Sequence, residues 1–202
     1  MPLSTIASNQ IKQNTIVDAN INSSANIATS KLGTGSIIQT VVHQEDGVTT
    51  FTASGTSEEL MIASNAADST SHVSLSITPV FASSKILLTA NVFYEGNQVL
   101  HSYLWGFHRD STKLAAPSAG SRRTGISMPF AGYYDNDNAS TPDGVNLIYY
   151  DSPNTTSAIT YSASWNNSNS GAVLYLNHTV NTTDNSSYER GISFIMAQEI
   201  KV

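Results

Sequence analysis

The chain has no cysteine, so no disulfide braces it and its redox compartment leaves no mark on the sequence. Charge is scarce, at 12% of residues, and the balance is acidic, with a net charge of −6. No basic stripe is present to neutralise phosphates. The only arginine pair is Arg122-Arg123 in "SRRTG", residues 121–125, so nucleic acid is not an expected partner. No apolar run approaches the ~20 residues that cross a bilayer as a helix, so membrane insertion is not expected either. The opening residues carry no basic-plus-apolar leader, and routing by a Sec-type signal is not expected. A helical period is missing too: no ten-residue segment keeps its apolar residues on one face of a 3.6-residue repeat. Polarity comes instead from Ser, Thr and Asn, which favour turns and strands over helix interiors.

What is present falls into two textures. Residues 5–33, "TIASNQIKQNTIVDANINSSANIATSKLG", place Ile6, Ile11, Ile16, Ile21, Ile27 and Leu32 at nearly equal steps of about five residues. Such a step drifts round a helix and alternates between the faces of a strand, so one chain alone could not bury these side chains. Three copies about a common axis could, one layer per repeat. A disordered polar arm is the competing reading of an Asn/Ser-rich segment. The regular spacing favours an ordered, partner-dependent arm over residues 1–34, with the six apolar residues as its partner- or trimer-forming contacts.

"GTGS", residues 33–36, breaks this texture, and a second domain is expected over 35–202. Its apolar runs have strand length. "SIIQTVVHQ" (36–44) and "VTTFTA" (48–53) flank Glu45-Asp46-Gly47, where Asp-Gly predicts a hairpin. "HVSLSIT" (72–78) alternates, with Val73, Leu75 and Ile77 on one face. "KILLTANVFYE" (85–95) and "QVLHSYLWGFHR" (98–109) follow, with a turn expected at Gly96-Asn97. "VNLIYYD" (145–151), "AITYSASW" (158–165), "AVLYLNHT" (172–179) and "GISFIMAQEI" (191–200) complete the set, separated by segments dense in turn formers. Eight to ten short strands at this spacing predict an all-β, jelly-roll-like antiparallel sandwich.

Chemistry-bearing motifs are sparse. His43, His72, His101, His108 and His178 have no zinc-site spacing. Asp135, Asp137 and Asp143 in "DNDNASTPDG" (135–144) supply hard oxygens but not the pattern of an EF-hand loop. There is no GxSxG elbow, and the glutamates form no placed catalytic pair: Glu58 and Glu59 are adjacent, and Glu95, Glu189 and Glu199 are solitary. No catalytic residue, cofactor or metal is therefore expected. Tyr133 and Tyr134 beside Asp135, Asp137 and Asn138 combine ring faces with amide and carboxylate groups, the equipment of a sugar-binding surface. Packing at a subunit seam or capping the sandwich is the competing role for the two tyrosines. Trp105 and Trp165 lie within strand patterns and are expected in the core.

Three blocks carry a resemblance: "VSLSITPVFASSKILLTANV" (73–92), "DSPNTTSAITYSASW" (151–165) and "NTTDNSSYERGISFIMAQEI" (181–200). Together with the arm, they resemble bacteriophage virion proteins, especially fibre proteins of marine and cyanobacterial phages. The resemblance implies a non-enzymatic, homotrimeric virion component. Its N-terminal arm would bind other virion proteins of tail, neck or capsid, and its β-rich head would face a host surface glycan. The arm, about thirty residues long, is short for such a shaft. That length suits a short accessory spike more than a main host-recognising fibre. A separate alternative is a capsid-decorating trimer that stabilises the shell. A cellular trimeric ligand and a polysaccharide depolymerase fit the residues less well.

Overall fold

The computed structural model describes residues 21, 25, 27–55, 57–97, 103–115, 117, 120–128 and 140–202. The chain divides between Leu32 and Gly33 into two units. In the N-terminal unit, a 3-10 turn spans Thr29–Lys31, with Lys31 N–H donating to the Ala28 carbonyl at 2.9 Å. Ile6, Ile11 and Ile16 lie outside the described residues. Ile21 and Ile27 are exposed, and Leu32 is half-buried.

The C-terminal unit is all-β among the described residues. Its strands are β1 (Ile37–Glu45), β2 (Thr49–Thr52), β3 (Glu59–Leu60), β4 (Ser74–Ile77), β5 (Lys85–Gly96), β6 (Tyr103–Arg109), β7 (Thr112–Lys113), β8 (Asp143–Asp151), β9 (Ile159–Asn167), β10 (Val173–Leu176) and β11 (Ser193–Ile200). Every pairing is antiparallel. The six-stranded sheet is built on β5. One edge of β5 pairs with β8, and the other is shared by β11 and then β10. Outside these lie β1, against β11, and β2, against β10. The five-stranded sheet is built on β9, with β6 and then β7 on one side and β4 and β3 in tandem on the other.

Two expected turns are not hairpins. β1 and β2 do not pair. Both run parallel to β5, one after the other along the same edge row, with Glu45 opposite Ser193 and Thr49 opposite Leu176. Asp46-Gly47 is a step within an interrupted strand. The Asp-Gly preference is local, whereas the partners β10 and β11 come from the far end of the chain and decide the pairing. Likewise β5 and β6, on either side of Gly96-Asn97, belong to different sheets.

Alternation places the core. Ile86, Leu88, Ala90, Val92 and Tyr94 of β5 are fully buried and meet the buried side chains of β6 and β9. Trp105 and Trp165 are both in this core, as expected from their strand positions. The Tyr94 and Trp105 rings lie 4.8 Å apart, and Tyr103 stacks on Trp165 at 5.4 Å. Such pairs add about 0.5–1.5 kcal/mol each beyond the area they bury. Tyr94 and Trp105 come from opposite sheets, so this cluster joins the two layers.

Two carboxylates tie the layers and loops. Asp151, at the inward end of β8, accepts from Tyr161 Oη at 2.7 Å and from Arg109 Nη1 at 2.9 Å, both on the other sheet. Burial first, then the adjacent Asp151 carboxylate, raises the Tyr161 hydroxyl far above its ordinary range, so it stays a donor. Glu199 on β11 is fully buried and accepts the Val80 and Phe81 N–H groups at 2.9 and 3.2 Å, with a further bond from Gln39. The "SITPVF" block is thereby fastened to the C-terminal "EI".

Candidate functional site

The row β10–β11 is interrupted as the row β1–β2 is, and at the same level. Between Leu176 and Ser193 the chain makes an excursion over residues 177–192. Asn177 closes its base. Its Nδ2 donates to the Glu45 and Gly47 carbonyls, both at 2.9 Å, and its Oδ1 accepts from Ser193 Oγ at 2.6 Å. Asn177 has φ +62°, in the left-handed region, where Asn is among the better-tolerated side chains. One residue thus supplies the turn, bridges the β1–β2 step and holds both ends of the excursion.

The excursion folds back over the outer face of the sheet at Phe93 and Glu95. Gly191 passes so close to the Phe93 ring that a side chain there would collide with it. Glu95 is fully buried beneath. One carboxylate oxygen accepts the Val180 N–H at 2.6 Å, and the other accepts the Thr141 N–H at 2.6 Å and its hydroxyl at 2.9 Å. Ser140 Oγ donates to Glu189 at 2.5 Å. The described end of the long polar loop is therefore moored to the excursion.

A cleft of about 320 Å³ opens between the excursion and Val48. The Tyr188 hydroxyl accepts from Asn181 Nδ2 at 2.9 Å, and Arg190 Nη2 donates to the Asp46 carbonyl at 3.3 Å. Asp184 and Glu189 complete the polar rim. His178 forms part of the wall, its Nδ1–H donating to the Thr179 carbonyl at 2.8 Å. Burial holds this imidazole below its ordinary pKa despite that bond, and nearby Arg190 adds to the effect. A small cleft with an aromatic and an aliphatic side chain, carboxylate acceptors and a guanidinium donor suits a polyhydroxylated ligand.

A second feature lies on the same sheet. Away from the excursion, its outer face exposes apolar side chains. Register places Val42, Met196, Thr89 and Ile148 in one row across β1, β11, β5 and β8. The next row holds Thr40, Gln198, Leu87 and Tyr150. Val42, Ile148 and Tyr150 are 58%, 65% and 51% exposed. Phe194 stands one row further along, half-buried. Adjacent exposed apolar side chains on a flat sheet mark an association surface more than scattered ones do.

Tyr133, Tyr134, Asp135, Asp137 and Asn138 lie outside the described residues. The excursion was legible only as a run of turn formers. Glu95 and Asn177 carried no motif, because their partners are backbone groups remote in sequence. Among the described residues no cluster of three or more His, Asp or Glu side chains is placed to hold a metal, and no helix is long and apolar enough to cross a membrane. Comparison with known proteins finds no matching family model and no matching curated protein.

Proposed function

We infer that the protein is a structural component of a bacteriophage particle, a short homotrimeric fibre or spike. Its arm, residues 1–34, attaches to other virion proteins, and its jelly-roll-like sandwich head, residues 35–202, contacts host surface glycans without turning them over. The observation that carries this reading is the apolar row on the outer face of the six-stranded sheet. It supports self-association of the head, as the isoleucine spacing supports self-association of the arm. The three blocks that resemble phage fibre sequence also support it. In these blocks Asp151 and Glu199 hold loops and layers together. The excursion cleft supports the glycan contact.

Light scattering at micromolar concentration is expected to give three times the 21.6 kDa chain mass. Lysine at both Val42 and Ile148 is expected to reduce it to one, with the far-ultraviolet spectrum of the head retained. Each apolar side chain removed from an interface forfeits roughly 1.5–3 kcal/mol, and a trimer loses three of each. A monomeric wild-type chain would overturn the assembly, and an unchanged mass in the double variant would remove this face from it. Particles assembled with serine at Ile11, Ile16 and Ile21 are expected to lack the protein on immunoblots. Normal incorporation would overturn the role of the arm.

A further inference from the structure

The chain's few cations are not evenly spread. Acidic residues outnumber basic ones fifteen to nine, yet three of the nine line one cleft of about 280 Å³. Among the described residues it is formed by Lys113, Ser121, Arg122, Arg123, Thr124 and Asn166, with no carboxylate among them. The cleft lies at the β6–β7 side of the five-stranded sheet and shares no lining residue with the excursion cleft.

Two of its three cations are held in place, and the backbone beneath the third is fixed. The segment after Thr124 is strapped to β6: Ile126 N–H donates to the Trp105 carbonyl at 2.7 Å, and Trp105 N–H donates to the Ser127 carbonyl at 2.8 Å. The approach is so close that a Cβ at Gly125 would meet the Trp105 carbonyl oxygen at 2.5 Å. This fixes the backbone that carries Arg122 and Arg123. Arg123 Nη1 donates to Oδ1 of Asn166, a residue only 1% exposed, at 2.7 Å. Lys113 Nζ donates to the Thr124 carbonyl and pairs with Glu58 at 2.5 Å, while Glu58 also meets His108 Nε2 at 3.2 Å. Glu58 offsets one of the three charges, so the cleft keeps an excess of positive charge within an acidic protein. The Arg122 side chain has no hydrogen bond or ion pair among the described residues. A braced guanidinium, a second one projecting beside it, an ammonium behind, and Ser and Thr at the rim match an oxyanion presented on a ligand of sugar size.

We propose that this cleft binds one oxyanion group, a carboxylate, sulfate or phosphate ester, carried on a saccharide unit. Two donors in fork geometry read the anion, and the hydroxyl-bearing rim accepts the ring. The site does not depend on the assembly or the host role argued above.

The test is calorimetry on the full chain at low ionic strength, with four probes: galactose, galacturonate, galactose 6-sulfate and galactose 6-phosphate. The anionic sugars are expected to bind and galactose to be silent. The ranking among the three identifies whether carboxylate, sulfate or phosphate is the natural group. Arg122→Gln, an exposed substitution that leaves the fold intact, is expected to weaken the best probe about tenfold, and Arg122→Lys less. Arg190→Gln, in the other cleft, is expected to leave it unchanged. Equal heats for galactose and the anionic sugars, or undiminished binding in Arg122→Gln, would overturn the proposal.

Discussion

Replacing Asn177 with alanine is expected to cost the head about 4–6 kcal/mol, close to the whole stability of a typical domain. Two terms make up the loss. The side chain satisfies two backbone carbonyls and one buried hydroxyl in a fully buried position, and each unsatisfied group costs about 1–3 kcal/mol. The left-handed φ adds about 1–2 kcal/mol for an alanine. Asn177→Gly separates the two, because glycine relieves the backbone but restores no hydrogen bond. It is expected to recover about 1 kcal/mol of the loss. Where the alanine variant still folds, amide exchange over residues 177–193 is expected to rise first, since both ends of the excursion are released. A substitution cost below 1 kcal/mol would mean that Asn177 follows the strand break and does not create it.

Why that residue was invisible in sequence shows where local reading stops. The long strands were legible because alternation is local: "HVSLSIT" and "GISFIMAQEI" each carry their inward face in every second letter. The β1–β2 step was misread because the same local logic made Asp46-Gly47 a hairpin, while pairing was settled by strands more than a hundred residues away. β3 and β7 are two residues each, too short for any period. Yet one signal was available. In "SFIMAQEI" the inward positions are Ser193, Ile195, Ala197 and Glu199, and in "VNLIYYD" they are Val145, Leu147, Tyr149 and Asp151. A carboxylate that falls in phase with core residues must be buried, and a buried carboxylate must be paired or hydrogen-bonded. The phase alone marks Glu199 and Asp151 as structural joints. Glu95 has no such mark: it is out of phase with the core and is buried only because the excursion covers it.

Glu199 also sets how the head should respond to acid. Burial by itself would raise its pKa. The Ser84 hydroxyl, the Gln39 amide and the Val80 and Phe81 N–H groups outweigh burial and hold it below the ordinary glutamate value. Its folded pKa is depressed, so its stabilisation is complete above the unfolded value near 4.5 and is lost as pH falls through the folded one. His108 and His178 act earlier in the same direction. Burial, the largest cause at each, lowers both, so both contribute stability above about 6.5 that declines as the imidazoles are forced to charge. Thermal melts from pH 8 to pH 3.5 are expected to show a first decline below about pH 6.5 and a steeper one below about pH 4.5. Glu199→Gln is expected to cost on the order of 2–4 kcal/mol at pH 7, because an amide cannot accept as many N–H groups as a carboxylate and brings its own donors against them. The same variant is expected to flatten the steeper limb and leave the first unchanged. His108→Gln is expected to make the first limb shallower, with the share of His178 kept, and to leave the steeper one unchanged. A Glu199→Gln head that keeps the wild-type acid limb would assign that limb to other carboxylates and reduce Glu199 to a packing role.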